Sequence, residues 1–73
     1  MKIDHIASNM TELKTDDFDI LFSYSTPVAG YDYNGPFKTD KWYSSTTTRH
    51  INKYFNGVEP RTVSQDFIDN LIK

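Results

Sequence analysis

A seven-residue run, Phe18-Asp19-Ile20-Leu21-Phe22-Ser23-Tyr24, sets the first limit on the fold. Its apolar residues recur every second position, so Phe18, Ile20, Phe22 and Tyr24 share one face of a strand. Leu21 lies on the other face and suggests that this side is partly covered too. A strand needs partners, and the flanking sequence supplies short segments to pair with it. Met10-Thr11-Glu12-Leu13-Lys14 alternates weakly, and Asp16 and Asp17 suit a turn between it and the run. Pro27 opens the next segment, where a missing backbone NH is tolerated at a strand's first position. Ala29, Tyr31 and Tyr33 then share one face. Asn34-Gly35 is a strong hairpin signal, because both residues tolerate positive φ. Pro36 directly after it argues for a slightly longer loop. Phe37 to Tyr43 reads as the returning strand, with a bulge expected near Asp40-Lys41 to repair its uneven parity.

From Ser45 the period changes. Ile51, Tyr54 and Phe55 stand at helical spacing, with Thr47 and Thr48 extending the stripe backwards. Ser44, Ser45 or Thr46 can cap the start, and Gly57 is a natural stop. Thr62 with Gln65 fits a capping box, and Val63, Phe67, Ile68, Leu71 and Ile72 form the apolar side of a last helix. The predicted fold class is α+β. It is a small antiparallel β-meander of three to four strands over residues 10–43, followed by two C-terminal helices over 46–56 and 63–72 packed on one face. Residues 1–73 make a single domain, because 73 residues leave no room for two.

Composition narrows the function classes. There is no cysteine, which excludes disulfides, thiolate metal sites and a Cys nucleophile. Aromatic residues are 15% of the chain and must supply much of the core. A domain this small has a marginal core, so burial of a further apolar face in a homo-oligomer, a dimer or higher, is expected. No apolar run is long enough for a membrane span, and Asp4 and His5 interrupt any secretory leader at once. No membrane association and a cytoplasmic location are therefore expected. His5 and His50 lie far apart in sequence, without the ligand sets that zinc or calcium needs, so no metal and no cofactor are expected. Nucleotide-binding glycine motifs and a nucleophile elbow are missing, and no catalytic residue is assigned. The reading is of a protein that is not an enzyme.

The charge is uneven. Residues 1–19 carry two lysines against five acids, whereas residues 38–61 carry Lys38, Lys41, Arg49, Lys53 and Arg61 against Asp40 and Glu59. Within the basic stretch, Thr46, Arg49, His50 and Lys53 form a polar stripe on the first helix. Trp42 adds an aromatic face beside Lys38 and Lys41. Cations next to aromatic faces suit stacking on single-stranded nucleic acid, and the helix start suits an anion. Lys38, Lys41, Trp42, Thr46, Arg49, His50 and Lys53 are thus the candidate binding surface.

Three stretches carry a family likeness: Phe22 to Ala29 (FSYSTPVA), Lys38 to Trp42 (KTDKW) and Thr46 to Lys53 (TTTRHINK), with Asn9-Met10-Thr11-Glu12 upstream. Across residues 9–55 the chain resembles a group of short proteins encoded by tailed bacteriophages, to which no activity is assigned. The resemblance implies an accessory role in the cytoplasm of an infected host bacterium. The leading expectation is a non-enzymatic module that binds a host or phage protein. A nucleic-acid-binding module using residues 38–53 is the alternative, and a minor structural virion protein is a third.

Overall fold

A computed structural model describes residues 2–72. The chain forms β1 (Lys2–Ala7), β2 (Met10–Lys14), β3 (Asp19–Ser23), β4 (Thr26–Asp32), β5 (Gly35–Thr39), α1 (Ser45–Phe55), β6 (Arg61–Val63) and α2 (Gln65–Leu71). The strands lie in one sheet in sequence order, so β1 and β6 are its edges. Pairing is antiparallel from β1 to β5, and β6 returns parallel to β5. A parallel neighbour requires a crossover, and α1 supplies it.

The predicted α+β class holds, and four details of it are corrected. The sheet has six strands, because β1 and β6 add to the expected four. The helices are not both C-terminal to the sheet, since β6 lies between them. They also do not share one face. Leu21 packs in a cluster with Met10, Val28, Ala29 and Phe55 of α1, while its neighbour Ile20 packs with Phe37 and Ile68 of α2. Successive strand residues point to opposite faces, so one helix covers each side. Finally, the returning strand stops at Thr39, and residues 40–44 form a loop into α1 rather than a bulged strand.

The capping chemistry explains where the helices begin. Ser44 caps α1, its side chain accepting from the backbone NH of Thr47. Asn56 in the left-handed region ends that helix, with Gly57 at φ 94° beside it. Ser64 caps α2 in the same way, accepting from Phe67. This displaces the expected Thr62 cap, because Thr62 is held in β6 opposite Lys38.

The turns follow local chemistry too. Thr15, rather than Asp16 or Asp17, organises the β2–β3 turn, its Oγ1 accepting from the NH groups of Asp17 and Phe18. Asp32 pairs with Gly35 across a tight Tyr33-Asn34 turn, so no longer loop is needed. Pro36 sits within β5 but before the β6 ladder, which begins at Phe37. Register irregularities lie between His5 and Ala7 in β1 and at Val28, the extra residue opposite the Leu21/Phe22 step. That bulge turns Val28 and Ala29 into the same α1-side cluster.

Arg61 closes the far end of the sheet. Its guanidinium donates to Asp32 Oδ2 at 2.7 Å and to the carbonyls of Gly35 and Pro36, and it lies over the rings of Phe37 and Phe67. One side chain thereby ties β6 to the β4–β5 turn and to α2.

Candidate functional site

The sheet and α1 together leave a strip uncovered. The face of α1 that meets the sheet carries Thr47, Ile51, Tyr54 and Phe55, which rest on β3 and β4. The α1-side face of β5 and β6 lies beyond that contact. There Lys38 and Thr62 stand opposite each other in the ladder and, with the 40–43 loop and one flank of α1, line an open groove.

The groove comprises two hollows. The first, about 380 Å³, is bounded by Lys38, Lys41, Trp42, Thr48, Asn52 and Thr62 among others. The second, about 310 Å³, is bounded by Phe55, Gly57, Val58, Glu59 and Pro60. Lys38, Ile51 and Asn52 line both. Lys38 is half-buried at this shared wall, and among the described residues no ion pair engages its ammonium. Trp42 is 71% exposed at the mouth. The ammonium of Lys41 lies 5.2 Å from the centroid of the Tyr43 ring. Asp40 and Glu59 are also on the walls, so the groove carries charge of both signs.

The seven sequence-derived residues separate into three places. Lys38, Lys41 and Trp42 come together in the groove. Thr46, Arg49 and Lys53 lie exposed on the outer face of α1, turned away from it by the helix period of about 100° per residue. His50 lies on the remaining flank, where its Nδ1 is 2.7 Å from Ser23 Oγ. Thr48, Asn52 and Thr62 complete the groove and were absent from the sequence-derived set. Thr48 and Asn52 are four apart on one helix flank, a signal the sequence does carry. Thr62 has none, because its three-residue strand shows no period and Thr62 with Gln65 fits a helix cap.

The Ser23–His50 contact has the geometry of a nucleophile beside a base, and its setting gives it a structural task. Ser23 is 2% exposed and also contacts Thr47 Oγ1 at 3.1 Å. Ser44 Oγ donates to Thr47 Oγ1 at 3.2 Å. The chain of hydroxyls from Ser44 through Thr47 and Ser23 to His50 fastens the first turns of α1 to the end of β3. Among the described residues no carboxylate hydrogen-bonds His50, and no group of three potential metal-ligating side chains converges.

Two phenols are tied to acids. Tyr54 donates to Glu12 across the α1 face, and burial first, then this bond, pushes its pKa well above the ordinary range. Tyr33 donates to Asp17 at 3.0 Å, and that bond raises the pKa of this exposed phenol. A further hollow of about 340 Å³ on the α2 side is lined by Phe18, Phe67 and Leu71, with Asp17 and Asp32 on its rim. Both rim acids are engaged, by Tyr33 and Arg61. Among the described residues no helix is long and apolar enough to cross a membrane.

Comparison with known families decides the relationship, since a family model matches residues 1–70. The chain belongs to a family of unknown function, DUF8033. No curated protein and no solved structure matches it. The DUF8033 match spans all six strands, α1 and α2 as far as Asn70, so the groove is built entirely from the matched region.

Proposed function

We propose that this chain is a non-enzymatic binding module whose groove beside α1 takes an extended, acidic segment of a protein partner. The observation that carries this reading is Lys38, a half-buried residue whose ammonium has no ion pair among the described residues, at the wall shared by the two hollows. A carboxylate from a partner would give it the charge-assisted hydrogen bond that the fold leaves unmade, worth about 1.5–3 kcal/mol. Thr48, Asn52 and Thr62 supply neutral donors and acceptors along the same walls, and Trp42 supplies an apolar plane at the mouth. Asp40 and Glu59 favour a peptide with spaced carboxylates over a continuous polyanion, which both would repel. The burial of Ser23 supports the non-enzymatic reading, because its hydroxyl cannot reach a substrate. On the resemblance to tailed-phage proteins, the partner belongs to the phage or to its bacterial host.

The second reading, a single-stranded nucleic-acid module, is favoured by Trp42 standing beside Lys38 and Lys41. One titration separates the two. Trp42 is the sole tryptophan, so its emission reports on the groove alone. Acidic extended peptides are expected to shift that emission to the blue, and Lys38→Glu is expected to weaken binding about tenfold to a hundredfold. Oligonucleotides that bind with a steep salt dependence would move the second reading to first place. No emission change with either ligand class would refute the groove as a binding site.

A further inference from the structure

The free edge at β1 is the second unsatisfied surface, and it does not depend on the groove. β1 has six residues, whereas β6 at the opposite edge has three. Ile3 and Ile6 are 66% and 40% exposed, and of β1 only Ala7 joins a core cluster. An unpaired strand edge presents a row of free NH and CO groups to any incoming strand.

Charge makes this edge specific. Within the chain, the β1–β2 register sets Lys2 opposite Lys14 and Asp4 opposite Glu12. Like charges directly opposite each other are destabilising in a sheet. The ion pairs run along the strands instead, Lys2 to Asp4 at 3.8 Å and Lys14 to Glu12 at 3.7 Å. Lys2 and Asp4 therefore each lack an opposite charge across the ladder.

We infer that β1 pairs antiparallel with β1 of a second copy of this chain, about a two-fold axis at Ile3. Along a strand, the residues whose NH and CO groups point to the free edge alternate. Outward groups of two antiparallel copies meet only when the facing residues share parity, so the axis passes through a residue. An axis at Lys2 sets Lys2 against itself, and an axis at Asp4 sets Asp4 against itself. An axis further along meets the register shift between His5 and Ala7. An axis at Ile3 sets Lys2 against Asp4 of the second copy at both ends of the interface. It also sets Ile3 against Ile3, with Leu13 behind each in the ladder, as a continuous apolar strip on the α2 side. The two sheets become one, and both cross-strand charges are matched.

Sedimentation velocity on the full chain from about 5 to 500 µM tests this. Wild type is expected to shift from monomer to dimer across that range. Asp4→Lys sets like charges together at both ends of the interface and is expected to weaken the dimer at least about tenfold. Inside the chain the same substitution turns the Asp4–Glu12 repulsion into attraction, so lost association does not report a weakened fold. The double variant Lys2→Asp/Asp4→Lys restores opposite charges across the axis and is expected to recover wild-type association. A wild type that stays monomeric, an Asp4→Lys variant that dimerises unchanged, or a double variant that fails to recover would each overturn the inference.

Discussion

Gly30→Ala tests the tightest point of the sheet. Gly30 sits in the middle of β4, opposite Ile20 on one side and Phe37 on the other. A Cβ there would fall well inside van der Waals contact with the backbone carbonyl oxygen of Asp19, and 3.0 Å from the tip of the Phe37 ring. The first contact is with main chain, so no side-chain rotation relieves it, and β3 must move by roughly an ångström. Overpacking of this kind costs typically 1–3 kcal/mol, and a backbone clash places it at about 3. The opposing term is the reduced freedom of the unfolded chain, which favours Ala by about 0.4–1 kcal/mol. The net expectation is a loss of about 2–3 kcal/mol. A chain of this length has a total stability of about 4–11 kcal/mol. The melting temperature should fall by about 10–20 °C, at roughly 4–8 °C per kcal/mol for a domain of this size. Thermal unfolding followed by circular dichroism measures it. A variant as stable as wild type would refute the close β3–β4 approach and the packing of Phe37 beneath it.

The remaining expectations concern the two faces, the phenol and the hydroxyl chain. Ile20→Ala and Leu21→Ala should each cost about 2–5 kcal/mol in urea unfolding, because each side chain is fully buried, one under α2 and one under α1; a near-neutral value for either would mean that face is uncovered. Tyr54 keeps its proton in the fold at pH values where the unfolded chain loses it, so its contribution is present below about pH 10 and declines as pH rises above that. The melting temperature should therefore fall in alkali, and less steeply in Tyr54→Phe; equal slopes would remove Tyr54 as the cause. His50→Ala strips the buried Ser23 hydroxyl of a partner and should cost about 1–3 kcal/mol, whereas Arg49→Ala on the outer face should stay within about 0.5 kcal/mol; similar losses from both would contradict their different placements.

The three-dimensional arrangement shows which signals in the chain were local. The stripe of Ile51, Tyr54 and Phe55 and that of Phe67, Ile68 and Leu71 join the two core clusters as their periods require, while Val63 reaches the second cluster from β6 and Ile72 from the end of α2. Phe18, Ile20 and Phe22 share one face, but Tyr24 leaves it in a turn with φ 59°. The first strand is not legible in the sequence because Lys2, Asp4 and His5 break its alternation, and an edge strand with exposed faces needs none. Nor is β6, because three residues show no period, and Arg61-Thr62-Val63 is held extended by its ladder to β5 and by Arg61 on Asp32. The groove was half visible. Lys38, Lys41 and Trp42 are close in sequence, but their separation from Arg49 and Lys53 depends on which way α1 is turned.

The sequence by itself determined the local periods, a hydroxyl cap somewhere in Ser44-Ser45-Thr46, a helix stop at Gly57 or its neighbour, the limits that a short cysteine-free chain places on core and chemistry, and the α+β class; the structure selects Ser44 and Asn56. These depend on neighbouring residues, and neighbours are written in order along the chain. Tertiary structure alone decided that the helices take opposite faces, that β6 closes the sheet in parallel, and that Lys38 rather than Arg49 occupies the groove. Those outcomes rest on contacts between residues far apart in the chain, such as Phe37 with Arg61 and Ser23 with His50. They form only when burial of both faces of one sheet outweighs the entropy of closing the loops between them.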